Sequence, residues 1–475
     1  INNLNVLGAV IKAAPVFKTL EKNRQPGRPV CASGLSTINK SNIIYALCRL
    51  KVVTAFCLAS DEKEAQTLCN DLSCMGLRAY VYPVRDFNFL DFQSRSHEYE
   101  HARLKVLLKL INHECDVAIA CVDAAAQLTV PRNVLEQSVI EFEEGRELSL
   151  EKATKALTLL GYERFDAVEG SGQFSLRGGI LDFFMPDSDY PVRCEFWGDE
   201  ITDLSYFDIE TQRRFKKADK ITLSPSTEIV IEDRAALADK IEHKAKLLRS
   251  KNSAKAKEKL FSEAELIRSG AMIANADKFI NQIYDKPESL FDYLDRNTLV
   301  FASEFTAIQE RGKSMDFISN ETLMQGFEDG TLCRGFDHFA LTFNECTEFL
   351  QSHGTIVLEN FVHGSMPIKL SEIISFSTKQ LSAWGGSYKQ LKEDVDGLFT
   401  PESKGVIFAG TERAAKNLCD TFNADGINAV YSEGADKISK GELLVMQGAL
   451  SAGFEYPTHK FIAITYRLVR ARPAE

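Results

Sequence analysis

From Pro29 to Val122 the chain alternates short apolar runs with longer stretches of mixed polarity. Pro29–Ser33, Val52–Ala59, Ala79–Tyr82 and Val117–Val122 are near-continuous apolar segments of strand length. A strand covered on both faces loses the polar alternation of a surface strand, so these runs predict a buried parallel sheet. Between them the pattern predicts a helix through Leu50, a helix capped by Asp61 with Glu64 as its reciprocal partner, and a helix around Glu98–Ile111. Strands alternating with helices define an α/β unit.

The pattern changes near Val139. A helix at Leu150–Leu160 precedes short strands separated by Gly178-Gly179, Pro186-Asp187 and Gly198-Asp199, all turn-forming pairs. Gly179–Phe184 and Val192–Trp197 are expected as neighbouring antiparallel strands of a small α+β insert that ends near Ser224-Pro225. Ala235–Ser269 is a charged helical stretch rich in Lys and Glu. Strands at Thr298–Ala302, Phe339–Phe343 and Thr355–Leu358 predict a return to the first sheet. From about Ile373 a separate α/β unit is expected, with strands at Gly405–Ala409, Ala429–Tyr431, Leu443–Met446 and Phe461–Thr465 and a helix from Thr411. The expected division is 1–138, 139–224, 225–372 and 373–475.

Composition narrows the class. The 475 residues, 44% hydrophobic and 26% charged, suffice for several globular domains. No apolar run reaches the ~20 residues that a membrane helix needs, so no membrane partner is expected. Ile1–Ala14 carries one charge, Lys12, and lacks the apolar core and cleavage site of a signal peptide. With no initiator Met and an arbitrary stretch from Arg467 to Glu475, the chain reads as a fragment. Eleven scattered Cys without a C-x-x-C predict free thiols in a reducing cytoplasm, against disulfides or structural zinc. A net charge of −11 argues against a surface that coats nucleic acid as a whole.

One segment carries candidate nucleotide chemistry. Gly34-Leu35-Ser36-Thr37-Ile38-Asn39-Lys40-Ser41 departs from the phosphate loop G-x-x-x-x-G-K-[ST] at one position, and it sits between a predicted strand and helix. Asn39 replaces the second Gly. Asn tolerates left-handed backbone angles, but its side chain crowds the cradle in which backbone N–H groups wrap phosphate. The Mg-binding carboxylate of such sites ends an apolar strand. Leu299-Val300-Phe301 is the best-placed strand, yet Ala302 stands at the ligand position and Glu304 follows two residues late, ~6–7 Å along a strand. Val117–Asp123 is a second apolar run ending in Asp. The expectation is a degenerate nucleotide site (Gly34, Asn39, Lys40, Ser41, Ala302) with no catalytic residue, metal or cofactor in this chain. The plainer reading is a strand-to-helix turn kept for packing.

Other motifs weigh less. His97-Glu98-Tyr99-Glu100-His101 matches H-E-x-x-H, but no third zinc ligand is legible and a charged helix start is the simpler reading. Arg213, Arg214, Lys216 and Lys217 form a basic run suited to nucleic acid or a partner, although short charge runs are usually solvated. Trp384-Gly385-Gly386-Ser387-Tyr388 has no Lys-Ser continuation and reads as a turn with an anchoring aromatic.

Between Gly161 and Asp208 the chain spells G-x-F-x-x-R-G-x-x-x-D (Gly172 to Asp182) and then R-x-E-F-[FW]-x-D-E-I (Arg193 to Ile201). This string resembles the UvrA-binding domain shared by UvrB and the bacterial transcription-repair coupling factors (Mfd). The resemblance runs from Phe17 to Thr465 and is closer to the coupling factors. The phosphate loop is degraded. Only Tyr82–Tyr99 fills the interval in which UvrB carries an aromatic hairpin that clamps DNA. Ser96 with Arg103-Leu104 fits the coupling factors' S-x-x-x-x-x-x-R-L.

The resemblance implies an α/β fold: a degenerate P-loop helicase-like (UvrB-like) parallel-sheet domain with an α+β UvrA-binding insert, then a second small α/β domain whose role it leaves open. It implies a cytoplasmic, non-catalytic adaptor that recruits UvrA in transcription-coupled nucleotide excision repair. Arg177 and Arg193 match the family's docking arginines, and Trp197 sits where the family places an aromatic. The family's full-length members are ATP- and Mg-dependent DNA translocases that displace stalled RNA polymerase. Their polymerase-binding, DNA-translocating and C-terminal autoinhibitory domains, the last able to mask the docking face, would lie beyond Glu475. Two Arg and an indole on one strand face suit a partner's carboxylates. The plainer reading pairs Arg193 with Glu195 on a solvated face, worth ~0–1 kcal/mol, and puts Phe196 in the core. The alternatives are a UvrB-type ATP-dependent DNA helicase, disfavoured by Asn39, Ala302 and the absent hairpin, and a non-specific DNA-binding module, disfavoured by the net charge.

Overall fold

The computed structural model describes residues 7, 27–51, 53–85, 97–137, 140–249, 253–270, 276–362, 366–382, 384–385, 387–433 and 438–467. Ser96, most of the Tyr82–Tyr99 interval, all but Leu7 of the amino-terminal stretch, and the tail after Arg467 lie outside them.

The first unit opens with Val30–Ser33 (β1), Thr37–Lys51 (α1), Ala55–Ala59 (β2), Glu62–Cys74 (α2), Ala79–Tyr82 (β3), Glu98–Ile111 (α3) and Val117–Cys121 (β4). Every residue of β1, β2 and β4 is buried, which is why each reads as an unbroken apolar run. The insert follows: Ile140–Glu143 (β5), Leu150–Leu159 (α4), Glu163–Arg164 (β6), Gln173–Arg177 (β7), Ile180–Phe183 (β8), Val192–Trp197 (β9), Glu200–Phe207 (β10), Arg214–Lys217 (β11) and Lys220–Leu223 (β12). The order is β11-β10-β9-β8-β7-β6, and β5 pairs with β12 as a separate ladder where the chain enters and leaves. Its core gathers Phe142, Leu157, Phe174, Phe183, Val192 and Phe196.

Arg234–Leu247 (α5) and Ser253–Arg268 (α6) then lead to Leu299–Ser303 (β13), Phe305–Asp329 (α7), Phe343–Ser352 (α8), Ile356–Leu358 (β14) and Glu372–Ser375 (β15). The last three strands join the first sheet, whose order β15-β1-β14-β13-β2-β4-β3 is parallel throughout. Two sequence expectations fail here. The boundary at 373 falls inside β15, which pairs along β1 from Val30↔Glu372 to Ser33↔Ser375. Phe339–Phe343 is no strand. Ala340 makes an isolated bridge to Gln127, and Phe343 already begins α8 because Thr342 and Glu345 form a reciprocal capping box.

The remaining elements are Lys379–Leu381 (β16), Trp384–Gly385 (β17), Tyr388–Leu398 (α9), Lys404–Phe408 (β18), Glu412–Ala424 (α10), Ala429–Tyr431 (β19), Leu443–Met446 (β20), Gly453–Tyr456 (β21) and Phe461–Arg467 (β22). The sheet runs β16-β21-β22-β18-β20-β19, with β17 on β22. One face packs on α9 and α10. The other face reaches α1 and α2: Val406, Phe408, Leu444 and Phe454 share a core with Ile38, Leu68 and Leu72. Asp71 of α2 accepts from Ser451 N and Oγ, both at 2.7 Å, and Tyr456 donates to Asn42 of α1 at 3.0 Å. Helix α1 therefore lies between two sheets, buried continuously from Ile38 to Cys48. No helix among the described residues is long and apolar enough to cross a membrane.

Candidate functional site

The first two amides of the β1–α1 loop are engaged from within. Gly34 holds a left-handed φ of 81°, and a Cβ there would stand 2.4 Å from the Phe376 carbonyl oxygen, so only Gly fits. The amides of Gly34 and Leu35 donate to the carbonyls of Asn360 and Glu359 at 3.1 and 3.0 Å. Ser36 Oγ donates to the fully buried Asn39 Oδ1 at 2.6 Å. Ser41 Oγ reaches Thr37 O and Asp71 at 3.3 and 3.4 Å.

Lys40 is 2% exposed. Its ammonium donates to Ser303 Oγ at 2.9 Å, to Glu64 at 3.2 Å and to Glu304, which matches its three N–H donors. Glu64 also accepts from Ser60 N at 2.9 Å, so the reciprocal cap of α2 closes on Ser60 instead of Asp61. Burial works against the Glu64 charge, but Lys40 and the Ser303 and Ser60 hydrogen bonds outweigh it and hold the carboxyl below its ordinary range. Glu304 adopts left-handed angles (φ 55°, ψ 68°) and accepts from Asn360 N at 3.0 Å. Beside it lies Glu359, whose carboxyl is pushed up to about 7, first by burial and then by the Glu304 charge.

Ala302 does not face this cluster. It packs into the core on the opposite side of the sheet, because alternation along β13 turns Phe301 and Ser303 toward α1 and Val300 and Ala302 away. Sequence reasoning missed Ser303 and Glu304 as the groups that meet Lys40. The second candidate carboxylate, Asp123, accepts from Arg311 at 2.9 and 2.7 Å, and the same guanidinium binds Glu62. Glu62, Cys121 and Asp123 lie close enough to hold a metal ion, but Arg311 already supplies the cation to both carboxylates.

His97–His101 starts α3 as a fastening. Glu100 accepts from Thr227 Oγ1 and Glu228 N, each at 2.8 Å, and His101 Nε2 lies 3.0 Å from Ser226 Oγ. Gly172 of the insert passes so close that a Cβ would lie 2.6 Å from the His101 ring. Two residues on, the fully buried Arg103 binds Glu228 at 2.7 Å and Gln127 at 2.8 Å, with its guanidinium 4.2 Å from the Tyr82 ring centroid. These contacts fix the chain leaving the insert to the first unit.

On the insert sheet the motif residues share a face. Asp182 of β8, 1% exposed, accepts from Arg177 Nη2 at 2.8 Å and from Arg193 Nε and Nη2 at 2.7 and 2.8 Å. Arg193 lies directly across from Asp182 in register, donates to the Gln212 carbonyl at 3.1 Å and stacks 4.4 Å over the Phe207 ring. Its side chain is only 13% exposed, against 51% for Arg177, so it is far less open than an exposed docking arginine. Trp197 is 82% exposed. A cleft of about 320 Å³ beside it is lined by Gly179, Ile180, Glu195, Phe196, Trp197 and Thr202. Phe196 faces the core. Glu195 pairs with Arg214 and not with Arg193. Half of the basic run is engaged in ion pairs: Arg214 also binds Asp203 at 3.1 Å, and Lys217 lies 3.5 Å from Glu144.

Residues 140–229 match the family described as the UvrB interaction domain. The chain is 26% identical over 469 residues to the transcription-repair-coupling factor of Bacillus subtilis (strain 168), covering 96% of this chain and 39% of that relative. It is 26% identical over 408 residues to the transcription-repair-coupling factor of a Staphylococcus epidermidis strain (82% of this chain, 33% of the relative), and 22% identical over 397 residues to one from Staphylococcus aureus (82% and 33%). The chain thus spans between a third and two fifths of the length of these curated relatives.

Proposed function

Because the chain belongs to the transcription-repair-coupling factor family, we propose that it acts in transcription-coupled repair as a non-catalytic adaptor whose insert docks UvrA. The observation that carries this reading is the sheet face on which Arg177, Arg193 and Trp197 converge, inside the segment that matches the UvrB interaction domain. Trp197 offers a large exposed aromatic beside a cleft, the kind of anchor that dominates interface energies. Asp182 orients both guanidinium groups before any partner arrives, which lowers the ordering cost of binding. Arg177 keeps N–H donors in solvent for a partner carboxylate, whereas Arg193 chiefly holds Asp182 and the face in place.

The β1–α1 loop supports the non-catalytic part. As a degenerate P-loop site it fits a nucleotide poorly. The Gly34 and Leu35 amides are spent on carbonyls, Asn39 fills the cradle, and a phosphate would meet Glu64, Glu304 and Glu359 around the one lysine. The third unit covers α1 and seals the loop's helix from the outside. In this reading ATP- and Mg-driven translocation, and contact with RNA polymerase, belong to other parts of the full-length protein.

The test is calorimetric titration of UvrA with the wild-type chain and with Arg177→Ala, Arg193→Ala and Trp197→Ala, each also melted. Arg177→Ala and Trp197→Ala should weaken binding at an unchanged melting temperature, while Arg193→Ala should lower both. Wild-type affinity in Arg177→Ala and Trp197→Ala would remove this face from the interface.

A further inference from the structure

Helices α5 and α6 pack as a hairpin through Leu237, Ile241, Ala245, Leu260, Ala264 and Ile267, and its charges are segregated. Along 243–249 and 253–259 six cations (Lys244, Lys246, Arg249, Lys255, Lys257, Lys259) stand against Glu258 alone, in a chain of net charge −11. At the other end Arg268 collects Asp239, Glu242 and Glu265 at 3.0, 2.7 and 2.8 Å. The acids are thereby neutralised away from the tip. Lys244 reaches the Gly335 carbonyl at 3.4 Å and Lys246 lies 3.7 Å from Glu242. Arg249, Lys255 and Lys257 enter no ion pair among the described residues, and Arg249 and Lys255 are exposed. Glu328 and Asp329, which precede the Gly330 that packs on Lys255, make none with it among those residues either.

Helix stability does not account for these cations. Helix α6 has no acid in its first turn, and Lys255 and Lys257 stand near its amino end, where the helix dipole repels positive charge. An external polyanion removes that conflict. In the 213–217 run Arg214 and Lys217 are already paired with Glu195, Asp203 and Glu144, which leaves two cations, Arg213 and Lys216, against the three at the tip. We infer that the α5–α6 tip binds the sugar–phosphate backbone of duplex DNA, without sequence preference, through Arg249, Lys255 and Lys257. Three cations beside one another on a helical hairpin suit regularly spaced phosphates, and phosphate contacts carry no sequence information of their own. This surface is separate from the UvrA-docking face and does not depend on it.

The experiment is fluorescence anisotropy of a labelled duplex with the whole chain at several salt concentrations. Three phosphate contacts predict a loss of about 20-fold in affinity between about 50 and about 150 mM salt. The triple variant Arg249→Gln, Lys255→Gln, Lys257→Gln should reduce that loss to about threefold or less and weaken low-salt binding at least about tenfold. Its melting temperature and UvrA affinity should be those of the wild type, so failure here leaves the docking face untouched. Arg213→Gln with Lys216→Gln should change neither quantity. A wild-type salt slope in the triple variant, a slope lost instead in the Arg213/Lys216 variant, or binding displaced by polyglutamate but not by unlabelled duplex would each overturn the assignment.

Discussion

At the β1–α1 loop one buried ammonium, Lys40, meets the carboxylates of Glu64 and Glu304 with Glu359 alongside; on the insert sheet two guanidinium groups share the single carboxylate of Asp182. The loop is closed by Phe376 and by the third unit's sheet, while the insert face ends in an exposed indole. Both sites carry cations from motifs that suggest anion binding. What separates them is the local ratio of acid to base and the presence of a lid. Where acids outnumber the cation and the Gly34 and Leu35 amides are spent on carbonyls, the motif has become a packing device. Where cations outnumber the acid, binding capacity remains.

The largest effect is expected from breaking the closed side. Lys40→Ala leaves Glu64, 9% exposed, and the partly exposed Glu304 without their counter-charge and should cost about 3 kcal/mol of stability, as removal of one partner of a buried pair does. Urea unfolding measures this. Equal stability of variant and wild type would mean that the cluster is solvated and the loop open. Next is the open side: Trp197→Ala should lose ~2 kcal/mol or more of UvrA binding, about 30-fold, at an unchanged melt.

A smaller effect concerns pH. Glu359 keeps its proton in the folded chain up to about 7 but loses it near the ordinary carboxylate value when unfolded. The folded state therefore binds more protons between those values, so this group makes stability fall as pH rises toward 7 and imposes a constant cost above it. Glu359→Gln should flatten that fall and raise stability at pH 8 by on the order of 1–2 kcal/mol. A variant less stable than wild type at pH 8 would show that the carboxylate form is the one the site prefers.

Much of the first sheet was legible because strands buried on both sides appear as unbroken apolar runs. Phe339–Phe343 misled because its apolar content outweighed the Thr342–Glu345 box that starts α8. The edge strand β15 was misassigned because three of its four residues are exposed, so it lacks that signature. At the sites, the motif put Arg177, Arg193 and Trp197 on one face, but cross-strand register decides that Asp182 binds both arginines. The partners of Lys40 were not legible. Ser303 and Glu304 are more than two hundred residues away, and only the strand order β1-β14-β13 brings them beside α1. The burial of α1 beneath the third unit is likewise a contact between distant segments. The basic tip of α5–α6 was in plain view as a Lys- and Glu-rich stretch; the hairpin shows that Arg268 gathers the acids at the opposite end.

The most direct measurement is UvrA titration, in parallel, of the wild-type chain, the double variant Arg177→Ala with Trp197→Ala, and Lys40→Gln at a temperature where all three are folded. The account predicts that the double variant loses at least about two decades of affinity, some 3 kcal/mol, while Lys40→Gln binds as the wild type does. Loss of UvrA binding in Lys40→Gln with full binding in the double variant would contradict it, and would return the β1–α1 loop to the functional site.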